Sequence, residues 1–390
     1  MHGALSVSLD ALERAGLVSS EILRLRMEGQ VDVLEPVSSS DSSLELDERD
    51  LAVTSDYDPS IDGNSEVGSV TSSIYAHIHE HGRRYRELVS LMIRKRISRS
   101  FLEKAQVVPN KYKYGRYPIP NDENEEGRES LRHSMVLTLL KGKMFLAPIG
   151  DNPQRIVDLG TGFGQWAIEM GDAFPSAQIT GIDLSPVQPV WVPPNVNFVV
   201  DDIEEDAWGK DGVFDYVHLR VTASLLKDPI KVAATAFNKL KPGGWIEFQE
   251  IYPKVSCDDG SMPDDFPLIE LYDLIERLLA QHSGFQIFIA EHLPDELERL
   301  GYVNIQRRVF NIPVGTWAMS RRLSRAGYLF RVVVAELVPV LAAKAEQIGI
   351  PSEEVEGLSC RVLESMHAEQ PTNVHAYVPF HFIWAQKPEL

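Results

Sequence analysis

Arg155-Ile156-Val157-Asp158-Leu159-Gly160-Thr161-Gly162-Phe163-Gly164 decides how the chain folds. A short apolar run with β-branched residues stops at Gly160, and a helical pattern follows from about Gln165 to Ala173. The same alternation recurs downstream. Gln178 to Asp183, Val196 to Val200, Val213 to Leu219 and Trp245 to Ile251 read as strands. Ile230 to Leu240 reads as a helix, ended by Lys241-Pro242-Gly243-Gly244. Strands alternating with helices predict a doubly wound α/β sheet, mostly parallel, with helices on both faces. Further on, the patterns predict helices at 266–282 and 291–300, a strand at 303–312, helical chain at about 320–366 and a last strand at 374–385.

The glycine loop needs its glycines where a ligand approaches the backbone and a Cβ would block it. Its spacing is G-x-G-x-G, and Asp158 precedes it at the strand end. A pyrophosphate site would avoid that carboxylate, whereas a cationic ligand bearing an ammonium group suits it. Asp183 ends the second strand, where an acid can accept hydrogen bonds from both hydroxyls of a ribose. Asp201-Asp202-Ile203 follows the third strand. A carboxylate beside a backbone N–H can read an adenine edge there. Each acid alone could be a solvated loop residue, but all fall at C-terminal strand ends, where open α/β sheets bind ligands.

Composition bounds the rest. The 390 residues are 44% hydrophobic, enough for a sizeable core. Lys plus Arg is 38 and Asp plus Glu is 57, a net −19, so no global field draws the chain to nucleic acid or an anionic membrane. Two cysteines, Cys257 and Cys360, exclude a disulfide framework and suit a reducing compartment. No run of about 18 apolar residues exists, and no secretory signal is expected, so the protein is expected in the cytoplasm or nucleus.

Residues 1–73 form an acidic, Ser-rich tail, expected to be mostly disordered, with a short amphipathic helix or two within 1–36. Residues 1–70 hold 15 acidic against 4 basic side chains, a net −11. Residues 83–113 reverse the sign, with ten Lys or Arg against Glu87 and Glu103, a net +8. That block is either an import or phosphate-touching patch or an amphipathic helix with a basic solvent face.

The set Val157 to Gly164, Gly181-Ile182-Asp183-Leu184-Ser185, Val200 to Ile203, Phe214 to His218 and Leu240 to Glu247 resembles class I S-adenosylmethionine-dependent methyltransferases over roughly residues 150–255. A narrower resemblance, to the fungal LaeA-like methyltransferases, rests on elements outside that span. They are Tyr75-Ala76-His77, Glu80 to Tyr85, Tyr114-Gly115-Arg116-Tyr117, Leu131-Arg132-His133 and Val374 to Pro379. That family holds natural-product methyltransferases and nuclear regulators that act with velvet-type protein partners. The resemblance implies a Rossmann-like sheet over 151–390, with a helical N-terminal lid over 74–150. The cofactor that the resemblance implies is S-adenosyl-L-methionine. Gly160, Gly162 and Gly164 pass under its methionine and ribose, Asp183 holds the ribose, and Asp202 with Ile203 reads adenine. Asp158, Thr161, Leu184, His218 and Tyr117 complete the expected contacts. The Leu131-Arg132-His133 element is expected in the lid. About two dozen residues, 86–110, separate Arg84-Tyr85 from Tyr114-Gly115 where relatives run almost directly on. They are either an insertion or a translated intron.

Methyl transfer from a sulfonium is a displacement that needs positioning, and a base only when the acceptor is protonated. His218, Glu250 and His133 are the candidate bases, with Arg220 and Tyr117 beside them. Each has a plainer alternative. His218 is equally a ring packed beside the cofactor, and Glu250 equally a cap on loop amides. No histidine–carboxylate cluster has metal spacing, so metal-independent chemistry is expected. The expected acceptor is a small molecule, under a roof of Phe266, Leu268, Leu271, Tyr272, Ile275 and Leu278, with Trp317, Tyr328 and Phe330. A nuclear regulator working through protein partners is the alternative.

Overall fold

A computed structural model describes residues 77–80, 83–86, 119–205, 208–345, 348–365 and 374–389. The expectations for the acidic tail, for the basic block beyond Arg86 and for Tyr117 lie outside the described residues. So does the segment 87–110.

Strands β1 (His77–Glu80) and β2 (Arg83–Arg86) pair antiparallel, His77 opposite Arg86. The N-terminal region was read as helical, so this hairpin is a difference. Its two strands lie only His81-Gly82 apart in sequence, a separation that suits a tight turn. Helix α1 (Glu123–Leu139) does follow, opened by Asp122, whose carboxylate accepts from the Glu125 amide.

The main unit alternates as expected: β3 (Arg155–Leu159), α2 (Gln165–Ala173), β4 (Gln178–Asp183), β5 (Val196–Val200), β6 (Phe214–Arg220), α3 (Pro229–Lys239) and β7 (Leu240–Ile251). Then come α4 (Pro267–Ile275), α5 (Ile289–Arg299), β8 (Val303–Pro313), α6 (Arg321–Ala345), α7 (Ser352–Ser365) and β9 (Tyr377–Gln386). The sheet runs β5-β4-β3-β6-β7-β9-β8. The first five strands are parallel, and β9 lies antiparallel between β7 and β8. The order reverses between β3 and β6, which opens a crevice at their C-terminal ends.

Three boundaries differ from the sequence reading. β7 begins at Leu240 instead of Trp245, because the chain after β9 pairs with the glycine turn: Gly243 N donates to Lys387 O and Lys387 N to Gly244 O. Helix α4 gives way at Glu276 to a π-helix (Glu276–His282). The long helical stretch divides at Gly349-Ile350-Pro351, where Gly349 adopts φ +78° and proline cannot continue the first helix.

The core has three parts. Val157, Leu159, Val217, Leu219, Ile246 and Phe248 pack with Val232, Ala236, Leu293 and Leu297 of α3 and α5. Ile156, Ile179 and Tyr216 pack with Trp166 and Met170 of α2. The third joins Met135, Val136 and Leu139 of α1 to α4, α6, α7 and β9. That cluster fixes α1 beside the crevice. No helix among the described residues is long and apolar enough to cross a membrane.

Candidate functional site

Gly160, Gly162 and Gly164 all sit at positive φ, +74°, +57° and +85°, which other residues rarely adopt. Gly160 N and Thr161 N both donate to Ile182 O at the end of β4, which ties the loop down. A Cβ on Gly160 would strike the Thr222 side chain, and one on Gly162 would strike the Glu129 carboxylate of α1. Gly164 instead backs onto the Phe198 ring. The loop therefore closes against Phe198 of β5 at Gly164, while Gly160 and Gly162 line the crevice beside Thr222 and Glu129.

The acids at the strand ends divide into two kinds. Asp183 accepts from Gly162 N at 2.9 Å and Ser185 N at 2.8 Å, and it lines the crevice. Asp202, with one oxygen accepting from Glu204 N at 3.1 Å, lines it too, as do Leu184 and Ile203. Asp158 does not. It is buried, with one oxygen accepting from Thr161 Oγ1 at 2.6 Å and the other from His218 Nδ1 at 2.8 Å. The expected ammonium partner is thus a loop anchor.

His218 is fully buried and stacks on the Trp166 indole, with ring centroids 3.7 Å apart. Burial pulls its pKa below the usual value, against the pull of Asp158, so the ring is neutral at pH 7. It is the packed histidine of the two readings, behind the loop and away from the crevice.

His133 is also closed off. Its Nδ1 lies 2.8 Å from Arg220 Nη1 and its Nε2 lies 2.8 Å from Glu169 Oε2. Arginine can only donate, so Nδ1 accepts and the ring proton sits on Nε2, pointing at Glu169. Burial lowers the His133 pKa, in keeping with this neutral form. Burial is the largest influence on Glu169 and works against its charge, but the His133 and Gln165 hydrogen bonds and the nearby positive charge together outweigh it, and its carboxyl stays below the usual range.

Glu250 is buried and accepts from the Thr222, Ala223 and Ser224 amides and from Ser224 Oγ. It caps the loop after β6, the plainer of its two readings. Glu247 likewise accepts from the Leu146 and Ala147 amides, Gln249 Nε2 and the Tyr216 hydroxyl. Burial raises the pKa of both carboxyls.

The crevice holds about 800 Å³ of space, open solvent included. Gly160, Gly162, Asp183, Leu184, Asp202 and Ile203 line it as expected, while Asp158, Thr161, Gly164, His218, His133 and Glu250 stand behind it. No residue beyond Leu226 lines it. The expected aromatic roof is therefore corrected: Phe266, Leu268, Leu271, Ile275, Leu278 and Phe330 belong to the buried cluster that also holds Met135, Val136 and Leu139 of α1, with Tyr272 partly buried against it.

Arg220 does reach the crevice. Its Nε donates to Gln249 Oε1 at 2.7 Å and its Nη2 to Met144 O at 3.3 Å, beside the His133 contact. Burial pulls its pKa down to about 10, so it stays cationic at neutral pH. Val221 next to it holds φ +48°, a conformation that costs a β-branched residue about 1–3 kcal/mol and gathers at functional sites.

Sequence reasoning missed one wall. Glu125, Glu129 and Arg132 of α1 line the crevice, with Glu125 paired to Arg128 and Glu129 to Arg132. The signal was there: charges at 125, 128, 129 and 132 repeat at helical spacing on one face. Such a stripe ordinarily faces water.

These residues fit a nucleoside-bearing amino acid. Two glycines with no room for a Cβ line the crevice, a carboxylate held by two amides stands one strand away, and a second follows beyond the next strand end.

The comparisons agree. The family described as methyltransferase domain matches residues 131–307. Methyltransferase pytC of Aspergillus terreus is 35% identical over 334 residues, 85% of this chain and 94% of that protein. A secondary metabolism regulator of Cochliobolus heterostrophus is 29% identical, over 71% of this chain and 92% of its own length. Among solved structures, Haemonchus contortus phosphoethanolamine N-methyltransferase 2 with S-adenosyl-L-methionine covers 76% of this chain and 61% of its own, at 18% identity and TM-score 0.39.

Proposed function

The chain belongs to the LaeA-like fungal family of class I S-adenosylmethionine-dependent methyltransferases, and on that premise we propose that it methylates an acidic oxygen of a small secondary metabolite. The cofactor supplies a methyl group already activated on a sulfonium. Gly160 and Gly162 present bare backbone to it, Asp183 accepts from the ribose hydroxyls, and Asp202 with Ile203 meets the adenine edge. Leu184, Ile203, Leu225 and Leu226 give the same crevice an apolar side.

The carrying observation is the contrast between bases and cation. His133, His218, Glu247 and Glu250 are all engaged inside the fold. Arg220 is a fixed cation at the crevice whose hydrogen-bond partners Gln249, His133 and Met144 are neutral, leaving two of its five N–H groups. A site of this kind favours an acceptor that gives up its proton easily, such as a phenol, enol or carboxylic acid, and whose oxygen then pairs with Arg220. An amine would meet like charge. The half-buried Cys257 and exposed Cys360, both free, suit a cytoplasmic or nuclear setting.

Deletion of the gene and comparison of metabolites tests the reading. The expected result is loss of an O-methylated compound and gain of a species one methylene lighter. A regulator acting through velvet-type partners, the reading that the regulator relative favours, would instead silence whole pathways without such a pair.

A further inference from the structure

The wall that α1 contributes has a chemistry of its own. Asp158, the acid expected to meet an ammonium, has both oxygens occupied by Thr161 and His218. Glu169 is occupied by His133 and Gln165. Glu125 is held by Arg128. Glu129 remains. Its carboxylate lies over Gly162, where a Cβ on that glycine would strike it. It pairs with Arg132 at 3.1 Å, one helical turn away, and both side chains are largely covered, 18% and 11% exposed. Among the described residues Arg132 makes this one hydrogen bond, from Nη2, so four of its five N–H groups remain for a ligand.

We propose that Glu129 and Arg132 read the amino-acid end of the cofactor, Glu129 taking the α-ammonium and Arg132 the α-carboxylate. The proposal rests on the methyltransferase reading above. An i,i+3 pair points both heads the same way from one helix face, a negative group beside a positive one. An α-amino acid presents the complementary couple, ammonium beside carboxylate. The guanidinium fork matches a carboxylate bidentately. Residues for the nucleoside, Asp183 and Asp202, line the same crevice at the ends of β4 and β5, so the two ends of the cofactor are read by separate elements. Arg220 is the competing cation. Its fork is tied to Gln249, His133 and Met144 at the end of β6, and the Arg132 charge already lowers its proton affinity.

Calorimetry of the full chain with two probes separates the ends. S-adenosylhomocysteine carries the amino acid, and 5′-methylthioadenosine carries only the nucleoside and thioether. Arg132→Gln should weaken the first by roughly ten- to a hundredfold, the loss of one charge-assisted contact, and leave the second unchanged. Arg132→Lys, which keeps the charge and loses the fork, should fall between. Glu129→Gln should also weaken only the first. Equal losses for both probes, or no loss for either, would overturn the proposal. So would a selective loss in Arg220→Gln with Arg132→Gln silent. If the wild-type chain bound neither probe, the methyltransferase reading itself would fail, an outcome distinct from all of these.

Discussion

The two sides of the sheet use the same residue type for opposite ends. On the β4–β5 side, Asp183 and Asp202 end their strands facing the crevice. On the β6–β7 side, Glu247 and Glu250 are fully buried and gather the amides of neighbouring loops. A carboxylate accepts about four hydrogen bonds. Glu250 accepts from four donors and Glu247 from four groups around it, so neither has capacity left for a ligand. Asp183 accepts one amide on each oxygen and lines the crevice, where a ligand can meet it. A strand-end acid is thus a ligand group or a loop anchor according to how many donors the fold has already given it.

The largest effect should come from the anchors. Glu250→Ala leaves the Thr222, Ala223 and Ser224 amides without their acceptor in a buried place. Unsatisfied groups of this kind cost about 1–3 kcal/mol each, so a total of roughly 3–5 kcal/mol is expected in urea unfolding. Stability within 1 kcal/mol of wild type, as an order of magnitude, would mean that water reaches the loop and that the anchor role is wrong.

Asp183→Ala should show the opposite balance. It removes a charge-assisted ribose contact worth about 1.5–3 kcal/mol, so affinity for S-adenosylhomocysteine should drop more than tenfold. Its two amides sit at the part-buried crevice, where water can replace the carboxylate, and stability should change less than in Glu250→Ala. Tight binding retained in this variant would put the ribose elsewhere.

The difference between these two acids explains what was legible. Strand order and glycine loop followed from periodicity and turn chemistry, which are local. The crevice face of Asp183 and Asp202 followed from their position at strand ends. The roles of Asp158, His218 and Glu250 did not, because each depends on donors 3 to 60 residues away in sequence. Spacing shows where a side chain starts, not which amides the loops bring to it. The sequence puts Arg132 in the lid without a role and does not single out Glu129, for the same reason: only packing of Met135, Val136 and Leu139 into the helical cluster turns their face toward Gly162.

A smaller effect should appear on acidification. The buried His218 ring has a lowered pKa, while the unfolded chain takes its proton near pH 6.5. Below that pH the unfolded state binds more protons than the folded one, so stability falls as pH drops. The loss per histidine is at most about 1.4 kcal/mol for each pH unit. His218→Asn keeps a donor toward Asp158 and removes the titration. Urea unfolding at pH 7.0 and about one unit below 6.5 should show a shallower loss in the variant. Equal losses would mean that His218 keeps its ordinary pKa despite its burial.

The smallest change probes whether the anchors act through amides or through side chains. Tyr216 donates its hydroxyl to Glu247 at 3.2 Å, longer than the 2.7 and 2.8 Å contacts from Ala147 N and Leu146 N. Burial beside Glu247 pushes the phenol pKa well up, so the hydroxyl keeps its proton and stays a donor. Tyr216→Phe removes that donor without opening a cavity, and the carboxylate keeps both amides and Gln249. A cost of about 0.5–1 kcal/mol is expected, with affinity for S-adenosylhomocysteine unchanged. A cost nearer that of Glu250→Ala would show that the phenol holds Glu247 in place. The loop at Leu146 would then be anchored by a side-chain network, and the two sides of the sheet would differ in kind as well as in direction.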